Sequence, residues 1–356
     1  MNRILIYICA WFPVYLAGQE NELTLVFAGD IMGHDSQIES ARTGDQYSYD
    51  TCFSLISPYL EKADIAIANL EVTLAGPPYK GYPQFSSPDP LATAARDAGF
   101  DLFITANNHS LDRGKKGLER TVDVLDTSRI IHTGTFKNNE ERALAYPLII
   151  EKNGIRLGIL NYTYGTNGLK VEAPNIVNYI EKEEILTDLE KVRSAEPDYI
   201  IVTIHWGLEY QRIQNEQQEE LAHFILENGA DAIIGSHPHV VQPVKMYSYD
   251  DKEKLVVYSL GNFISNQRER YRNGGILFEL KLEKTGSGTD IAAYSYLPVW
   301  VFKPTREDGG VHFVLVPSNL EKSEYEKLGM DDNDYEKMKT FNDDTQLHLQ
   351  DISLIQ

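Results

Sequence analysis

Polar and imidazole side chains follow five apolar runs of the sequence, at the point where each run ends. The runs span residues 23–28, 65–68, 102–105, 199–204 and 232–234. The residues that follow them are, in chain order, Asp30 and His34, Glu71, Asn108 and His109, His205, and His237 and His239. Carboxylate, amide and imidazole ligands without cysteine suit zinc, manganese or iron better than calcium or a structural zinc site. The pattern therefore indicates a site for divalent transition-metal ions.

Two such ions can be held together when one carboxylate bridges them and several imidazoles complete their ligands. Paired ions can share a hydroxide and clamp an oxyanion, which suits in-line attack on a phosphoryl group. They polarise carbonyl groups as well, so amide hydrolysis is a second chemistry for the same residues. His109, next to Asn108, is placed to protonate the leaving oxygen, because imidazole titrates near neutral pH.

Each of these residues, taken singly, also has a structural explanation. Asp30 and the pair Asn108 and His109 are of types common in turns, and His205 suits a buried core histidine. The segment His237-Pro238-His239 is more specific, because proline fixes the backbone between two imidazoles. Turns alone do not account for metal-type residues at five separate strand ends. His223 falls within an amphipathic helix pattern, and we interpret it as structural.

The apolar runs alternate with amphipathic stretches, and this alternation sets the expected architecture. Helix patterns occur over residues 88–98, 118–125, 185–192 and 221–225. Nearly continuous apolar strands between helices predict an α/β fold whose sheets are buried on both faces. In such sheets ligands bind beyond the carboxyl ends of the strands, so the five strand ends are expected to converge.

The sequence changes character after Gly261. The runs 276–282, 292–302 and 311–316 predict consecutive strands, antiparallel to one another. The last forty residues are acidic with little apolar periodicity, and we interpret them as a peripheral helix or a loosely held tail. We find no convincing linker, which favours a single domain.

The overall charge limits what the protein can bind. The chain has 356 residues with 33 Lys and Arg against 53 Asp and Glu, a formal net charge of −20. This charge disfavours binding to nucleic acid or to an anionic membrane surface through bulk electrostatics. An anionic substrate must therefore find a local positive centre, which a bound metal would supply.

The first residues predict a secretory signal peptide. Arg3 precedes an apolar run over residues 4–17, which polar residues follow. This run is too short to span a bilayer but suits the core of a signal peptide. The alternative is a buried N-terminal strand or helix. We predict a signal over residues 1–18 and secretion across the inner membrane to the periplasm or cell envelope. Membrane contact would occur only through this segment, where it stays uncleaved.

Six motifs in a fixed order carry a resemblance to a known family. They are Gly29-Asp30-Ile31-Met32, Asn69-Leu70-Glu71, Asn107-Asn108-His109, His205-Trp206-Gly207, Ser236-His237-Pro238-His239 and Ser259-Leu260-Gly261-Asn262-Phe263. Together they resemble the CapA family of poly-gamma-glutamate (capsule) biosynthesis proteins, a branch of the calcineurin-like metallophosphoesterase superfamily. The resemblance implies a four-layer α/β/β/α sandwich around a two-metal site. We place this domain at residues 22–318 and an acidic peripheral tail at 319–356.

By position, the resemblance implies that seven residues bind two divalent ions of manganese, zinc or iron. They are Asp30, His34, Glu71, Asn108, His205, His237 and His239. Glu71 occupies the place of the bridging carboxylate, where the superfamily usually has aspartate. His34 follows Asp30 by four residues, whereas the superfamily's first motif is Asp-x-His, so its assignment as a ligand depends on the local fold.

The resemblance also implies residues that act on the substrate. His109 matches the catalytic histidine beside the metal-binding asparagine. The superfamily's Gly-Asn-His-Asp motif is not fully kept, and Asp112 is a displaced counterpart of its last residue. Three residues are predicted either to contact the substrate or to contact the metal ligands without binding the metal themselves. They are Asp112, Arg113 and Glu209.

Three functions are compatible with these features. The first is a metal-dependent phosphoester hydrolase of the cell envelope, acting on a small or polymeric anionic substrate. The second is a non-hydrolytic assembly or export factor for an anionic capsule polymer, working with other capsule-synthesis proteins. The third is a metal-dependent hydrolase of gamma-glutamyl amide bonds. The full set of metal-type residues favours a hydrolase.

Overall fold

A computed structural model describes residues 21–249, 252–305 and 309–355 of the chain. The predicted signal segment lies outside the described residues. The strands are β1 (Glu22–Ile31), β2 (Arg42–Thr43), β3 (Gln46–Tyr47), β4 (Ile65–Leu70), β5 (Leu102–Ile104), β6 (Ile131–Thr133), β7 (Thr135–Phe136), β8 (Leu148–Lys152), β9 (Ile155–Thr163), β10 (Ile176–Val177), β11 (Tyr199–His205), β12 (Ala232–Ser236), β13 (Val244–Tyr249), β14 (Lys252–Val257), β15 (Asn262–Ile264), β16 (Gly274–Thr285), β17 (Gly288–Phe302), β18 (Val314–Pro317) and β19 (Ser353–Leu354).

Ten helices accompany these strands within the described ranges. They are α1 (Asp35–Ala41), α2 (Asp50–Phe53), α3 (Ser57–Leu60), α4 (Pro90–Asp97), α5 (Gly114–Thr127), α6 (Asn139–Ala145), α7 (Lys182–Ser194), α8 (Glu216–Glu227), α9 (Lys322–Lys327) and α10 (Asp332–His348). None of the helices in this part of the chain has the length and apolar character needed to cross a bilayer.

Most of the strands belong to two large sheets. The first has nine strands, with the order β18-β17-β16-β1-β4-β5-β6, and β15 and β19 pair with β1 and β17. The second has six strands, in the order β13-β14-β12-β11-β9-β8. In the first sheet β1, β4, β5 and β6 run parallel, and in the second β9, β11, β12 and β14 do. Each sheet therefore contains four neighbouring parallel strands, and the carboxyl ends of these four strands lie at the same edge of the sheet.

The alternation of side chains along the parallel strands explains how the sheets stack. On β1, Leu23, Leu25 and Phe27 face a core that they share with strands of the second sheet. Val26 and Ala28 point the other way, into a core shared with α4. Successive residues of a strand face opposite sides of its sheet, so a strand that is apolar throughout must be covered on both faces.

The second sheet is covered in the same way. Alternate residues of β9 and β11 reach the core between the sheets, and the others pack against the apolar faces of α7 and α8. The layers are thus helices, sheet, sheet, helices. The predicted four-layer α/β/β/α sandwich is confirmed, and the four predicted helix patterns correspond to α4, α5, α7 and α8.

The segment after Gly261 also forms the strands that its sequence predicts. β16, β17 and β18 are consecutive and antiparallel, and they extend the first sheet beyond β1. β18 begins at Val314, three residues later than predicted. Val311 instead pairs with Thr305 in an isolated bridge outside this strand.

The acidic C-terminal residues form helices. In α10, Met338 and Phe341 are buried and pack with Trp300 and Phe302 of β17. Among the described residues, the peripheral helix is therefore observed and the loosely held tail is not. The domain boundary at residue 318 stays a prediction.

Candidate metal centre

The parallel strands bring the predicted residues to one edge of each sheet. In the first sheet Asp30 of β1 is in register with Asn69 of β4, and Asn69 is in register with Ile104 of β5. In the second sheet His205 of β11 is in register with Ser236 of β12. The polar segments that follow these positions meet where the two sheets face each other.

Two buried carboxylates lie at the centre of this edge. Asp30 and Glu71 are both completely shielded from solvent. Asp30 accepts a hydrogen bond from Asn69 Nδ2 at 2.8 Å, but neither carboxylate oxygen of Glu71 has a hydrogen-bond partner among the described residues. Burial, and next the neighbouring Asp30, raise the pKa of Glu71 well above its usual range. A buried carboxylate without partners is costly, and a bound cation would supply the missing interaction.

Three imidazoles surround the Glu71 carboxylate. His205 Nε2 lies 3.6 Å and His239 Nε2 lies 3.9 Å from Glu71 Oε1, while His239 Nδ1 lies 3.0 Å from Asp30 Oδ2. His237 Nδ1 is buried without a hydrogen-bond partner in the described part of the chain.

These atoms form groups small enough to hold a metal ion. In each group, one atom from every residue lies within 4.8 Å of the others. The groups are Glu71, His205 and His237; Asp30, Glu71 and His239; and Glu209, His237 and His239. Glu71 belongs to the first two groups. The donor set and its unpartnered atoms therefore fit divalent metal.

Two of these imidazoles, those of His205 and His237, are held in the neutral form that can bind a metal. Burial, and next the neighbouring His237, lower the pKa of His205 well below its usual range. Burial and the neighbouring His239 lower the pKa of His237 to about 3. Both rings are therefore neutral near pH 7, and a neutral ring nitrogen has the lone pair that a metal requires.

A neighbouring polar group orients His205, one of the candidate ligands. Ser236 Oγ lies 3.0 Å from His205 Nδ1, which leaves His205 Nε2 facing Glu71. The same Nε2 lies 3.0 Å from the amide oxygen of Asn108, so the predicted asparagine ligand is also at the site. Partners of this kind fix ring orientation in metal sites.

The backbone that carries His237 and His239 is strained. Their φ angles are +100° and +58°, in a region that residues other than glycine seldom adopt. Such conformations cost about 1–3 kcal/mol each and persist only where the surroundings enforce them. Here the Tyr210 backbone nitrogen donates a hydrogen bond to the Pro238 carbonyl at 2.8 Å.

The motif around Gly261 packs against the strand that carries Asp30. Asp30 is in parallel register with Asn262, and its backbone nitrogen donates to the Gly261 carbonyl at 3.1 Å. A Cβ atom at Gly29 would lie 1.9 Å from that carbonyl oxygen. Glycine is therefore required before Asp30 because the two backbones approach so closely.

His109 lies beside the ligand groups and has an acidic partner. His109 Nδ1 lies 2.7 Å from Asp112 Oδ2, and both side chains are buried. The same oxygen accepts a hydrogen bond from the Phe85 backbone nitrogen at 2.7 Å, and the Phe85 ring packs edge-on against the imidazole. Asp112 therefore fixes the ring and leaves His109 Nε2 available to donate or accept a proton.

Residues 24–267 match a family model described as "Bacterial capsule synthesis protein PGA_cap". This segment includes all of the predicted metal-binding residues. The chain belongs to the PGA_cap family. The predicted resemblance to CapA proteins is thereby confirmed.

The capsule biosynthesis protein CapA of Bacillus anthracis is 29% identical over 76% of this chain and 66% of its own length. The PGA biosynthesis protein CapA of Bacillus subtilis is 26% identical over 76% of this chain and 70% of its own. This PGA_cap chain thus spans about two thirds of these relatives.

This PGA_cap protein is similar to solved structures, and one of them supports a shared fold. The NAD nucleotidase NadN of Haemophilus influenzae superposes with a TM-score of 0.51 at 15% identity, over 94% of this chain and 64% of NadN. The calcineurin-like phosphoesterase YfkN of Bacillus subtilis gives a TM-score of 0.46 at 16% identity, over 77% of this chain and 89% of YfkN. The likeness to NadN shows a shared fold, in agreement with the four-layer sandwich described above.

Three further predicted residues take different places in this PGA_cap protein. His34 precedes α1, with its Nδ1 3.0 Å from Gln37 Oε1 and 3.2 Å from the Asn266 backbone nitrogen, so only Nε2 remains for a metal. Glu209 is exposed but belongs to a ligand group with two histidines. Arg113 precedes α5, and its Nε is buried without a hydrogen-bond partner among the described residues. The roles of these residues stay predictions.

Two exposed tyrosines at the site were not predicted. The Tyr164 ring lies 4.6 Å from the ring of His237 and stacks 6.2 Å from that of His205. The Tyr210 ring lies 6.1 Å from that of His239. Tyr164 directly follows β9, so it occupies the same strand-end position as several of the predicted residues. Tyr210 follows no strand, and its sequence carries no such signal.

The C-terminal helix braces two loops that border the metal centre. The Asp344 carboxylate of α10 accepts two hydrogen bonds of 2.8 Å from Arg270, and its carbonyl accepts one from Arg212 at 2.9 Å. Asp344→Asn is expected to loosen the loop that contains Arg270. We expect tryptic cleavage after the arginines of this loop to become about threefold faster or more, because cleavage follows local opening.

The neighbouring Asp343→Asn variant is a matched control. Asp343 pairs only with Lys339 of the same helix, at 2.6 Å, in the described structure. Its loop cleavage is expected to match that of the unmodified protein. Equal cleavage rates in the Asp344 and Asp343 variants, followed by mass spectrometry, would show that α10 does not brace the loop.

Proposed function

We propose that this PGA_cap protein is a hydrolase of phosphoesters that uses two divalent transition-metal ions, manganese, zinc or iron. The observation that carries the proposal is the Glu71 carboxylate. It is buried, it lacks hydrogen-bond partners in the described chain, and it belongs to two ligand groups at once. One group reaches Asp30 and His239, and the other reaches His205 and His237. A carboxylate shared in this way suits the bridge of a two-metal centre.

The chain's own residues would hold the two ions as follows. Asp30, Glu71 and His239 would bind the first, with His34 and Glu209 as further donors, and Glu71, Asn108, His205 and His237 would bind the second. Bound ions would supply Lewis acidity toward a phosphoryl oxygen and positive charge against the phosphate. The charge of the bound ions would provide the local positive centre that an anionic substrate needs in a chain of net charge −20.

His109 and Asp112 support hydrolysis over simple binding of an anion. Asp112 Oδ2 accepts a hydrogen bond from His109 Nδ1 and would stabilise the imidazolium form of the ring. His109 Nε2 would then give a proton to the leaving oxygen as a water oxygen bonds to phosphorus and the phosphoester bond breaks. A protein that only binds or exports a polymer has no use for a buried, oriented acid of this kind.

The setting that we propose is the cell envelope, in the biosynthesis of capsule or poly-gamma-glutamate. It follows from membership of the PGA_cap family and from the sequence of residues 1–18. The substrate would be anionic, either a small molecule or a polymer, and other capsule-synthesis proteins would be its partners. The names of the relatives support a role in capsule biosynthesis, but they do not specify a reaction.

Metal content is the first test of this function. Elemental mass spectrometry of the purified protein is expected to find about two transition-metal equivalents, and at least one fewer in His237→Ala. His223→Ala is the matched control, because His223 lies exposed on α8 beside Tyr249, and its metal content is expected to stay unchanged.

Activity is tested on the same samples with phosphomonoesters, phosphodiesters and a gamma-glutamyl oligomer. Hydrolysis of a phosphoester by the metal-loaded protein, and its loss in His237→Ala, are expected. Absence of metal after reconstitution with manganese and zinc would overturn the proposal. Release of glutamate with no phosphoester hydrolysis would replace it with the amide-hydrolase alternative.

A further inference from the structure

A short arginine-rich loop borders the metal centre. Residues 265–273 contain Arg268, Arg270 and Arg272 in a chain whose net charge is −20. Asn262, which is in register with the ligand Asp30, donates from its Nδ2 to the Arg272 carbonyl at 2.8 Å. The Asn266 backbone nitrogen lies 3.2 Å from His34 Nδ1. The loop is therefore fixed to the strand that carries the first carboxylate.

The three arginines point to different partners. Arg268 donates to the Val301 carbonyl at 2.7 Å, and Arg270 makes the paired hydrogen bonds to Asp344. These two side chains hold the loop against the rest of the fold. Arg272 instead forms a longer ion pair of 3.6 Å with the exposed Glu269.

Arg272 also lies on the tyrosine that borders the metal ligands. Its guanidinium carbon is 4.0 Å from the centre of the Tyr210 ring, which lies 6.1 Å from the ring of His239. The guanidinium carbon is thus within about 10 Å of the centre of the His239 ring, comparable to the screening length of about 10 Å in 0.1 M salt. Stacking on an aromatic ring pre-orients an arginine, whose planar fork carries five N–H donors, and one of them lies in reach of the Tyr210 hydroxyl.

Neighbouring acidic groups do not cancel this charge at the site. Glu209 lies in reach of the Tyr210 hydroxyl, but its carboxylate also belongs to the ligand group with His237 and His239. Glu269 is largely exposed, with 63% of its side chain accessible. An anionic group of a substrate could displace Glu269 at little cost, because exposed ion pairs contribute little energy.

We propose that Arg272, stacked on Tyr210, binds a second anionic group of the substrate while the first occupies the metal centre. This inference rests on the proposed function and narrows its substrate class. The substrate would carry two anionic groups about 10 Å apart or less, the reach of Arg272 from the metal ligands. The second group is a carboxylate or a phosphate, both of which match the forked donors of a guanidinium.

Binding of phosphonates to the manganese-loaded protein tests the inference without turnover. Three series of alkylphosphonates of increasing chain length are compared by calorimetry, ending in a methyl group, a carboxylate or a second phosphonate. At the best length, we expect an anionic end to strengthen binding by about tenfold over the methyl end. The carboxylate and phosphonate series show which second group is preferred.

Variants then assign the effect to Arg272. In Arg272→Gln the preference for the anionic end is expected to fall to about twofold or less, and in Arg272→Lys to an intermediate value, because lysine keeps the charge but not the fork. Binding of the methyl-ended phosphonates is expected to stay within about twofold in both variants, which also shows that they fold. Arg193→Gln, with its arginine exposed on α7, is the charge-matched control.

The outcomes separate this inference from the proposed function. Equal binding of the methyl-ended and anionic-ended series by the unmodified protein would overturn the inference alone. A preference that survives in Arg272→Gln, or is lost equally in Arg193→Gln, would also overturn it. Failure of every phosphonate to bind the metal-loaded protein would contradict the proposed function and this inference with it.

Discussion

Glu71→Gln is expected to lower the metal content from about two equivalents to fewer than one and to reduce phosphoester hydrolysis by a factor of about 10³ or more. The reason is that Glu71 belongs to two of the ligand groups, one with Asp30 and His239 and the other with His205 and His237. A glutamine of nearly the same shape removes the charge while it fills the same space. Elemental mass spectrometry and initial rates measure the two effects.

In the metal-free protein, the same substitution is expected to stabilise the fold. Without a cation, the Glu71 carboxylate is buried, unpartnered and close to Asp30. Removing it is expected to raise the free energy of unfolding by about 1–3 kcal/mol in the presence of a chelator. Added manganese would then stabilise the unmodified protein and leave the variant unchanged, because only binding to the folded state shifts the equilibrium.

In the absence of metal, the difference in stability between Glu71→Gln and the unmodified protein is expected to change with pH in one direction. The pKa of Glu71 is higher in the folded, metal-free protein than in the unfolded chain, so the folded state holds this proton more tightly. The stability that the protonated group contributes is present below the unfolded pKa and is lost as the pH rises through the folded pKa. In chelator, the stability advantage of Glu71→Gln is therefore expected to grow with pH. Urea unfolding at several pH values measures it.

Glu253→Gln is the control for both effects, because Glu253 is exposed on β14. It is expected to change neither the metal content nor the response to manganese. Retention of two metal equivalents by Glu71→Gln would show that Glu71 is not the bridging ligand. A less stable metal-free variant would show that the buried carboxylate has a compensating partner.

The convergence of the ligands was predictable because it depends on local patterns. Runs such as residues 23–28 and 199–204 are apolar at every position, which requires strands covered on both faces. Parallel strands end at the same edge of a sheet, so Asp30 and Glu71 come together at the edge of the first sheet and His205 lies at the corresponding edge of the second. The stacking of the two sheets then brings the two edges together. The register of Asp30 with Asn69 and of His205 with Ser236 is what this reasoning expects.

The contacts that were not predicted involve loops whose path depends on tertiary packing. Tyr210 and Arg272 are far apart in sequence, and neither follows a strand, so their stacking leaves no local pattern. Asp112 appeared as a displaced member of a motif, and only the turn after β5 shows that its carboxylate reaches His109. α10 carries little apolar periodicity, and its docking on β17 depends on a few buried residues such as Phe341.

His109→Gln is expected to lower kcat by a factor of about 10² to 10⁴ and to leave the metal content unchanged. His109 belongs to none of the ligand groups among the described residues, so its loss should not release metal. Its imidazole packs against Phe85 with ring centres 4.6 Å apart, so thermal unfolding is measured alongside to exclude a folding defect. His132→Gln is a matched control, because His132 also pairs with a carboxylate, that of Asp126 at 3.0 Å.

The dependence on the leaving group shows whether His109 acts as an acid. A leaving group of low pKa, such as 4-nitrophenolate, departs without protonation, whereas an alkoxide needs a proton. His109→Gln is therefore expected to slow alkyl phosphate hydrolysis at least about tenfold more than 4-nitrophenyl phosphate hydrolysis. Asp112→Asn should show the same selectivity with a smaller loss, because an amide still accepts from Nδ1 but does not stabilise the imidazolium. An equal loss for both substrates would mean that His109 positions the substrate and does not protonate the leaving oxygen.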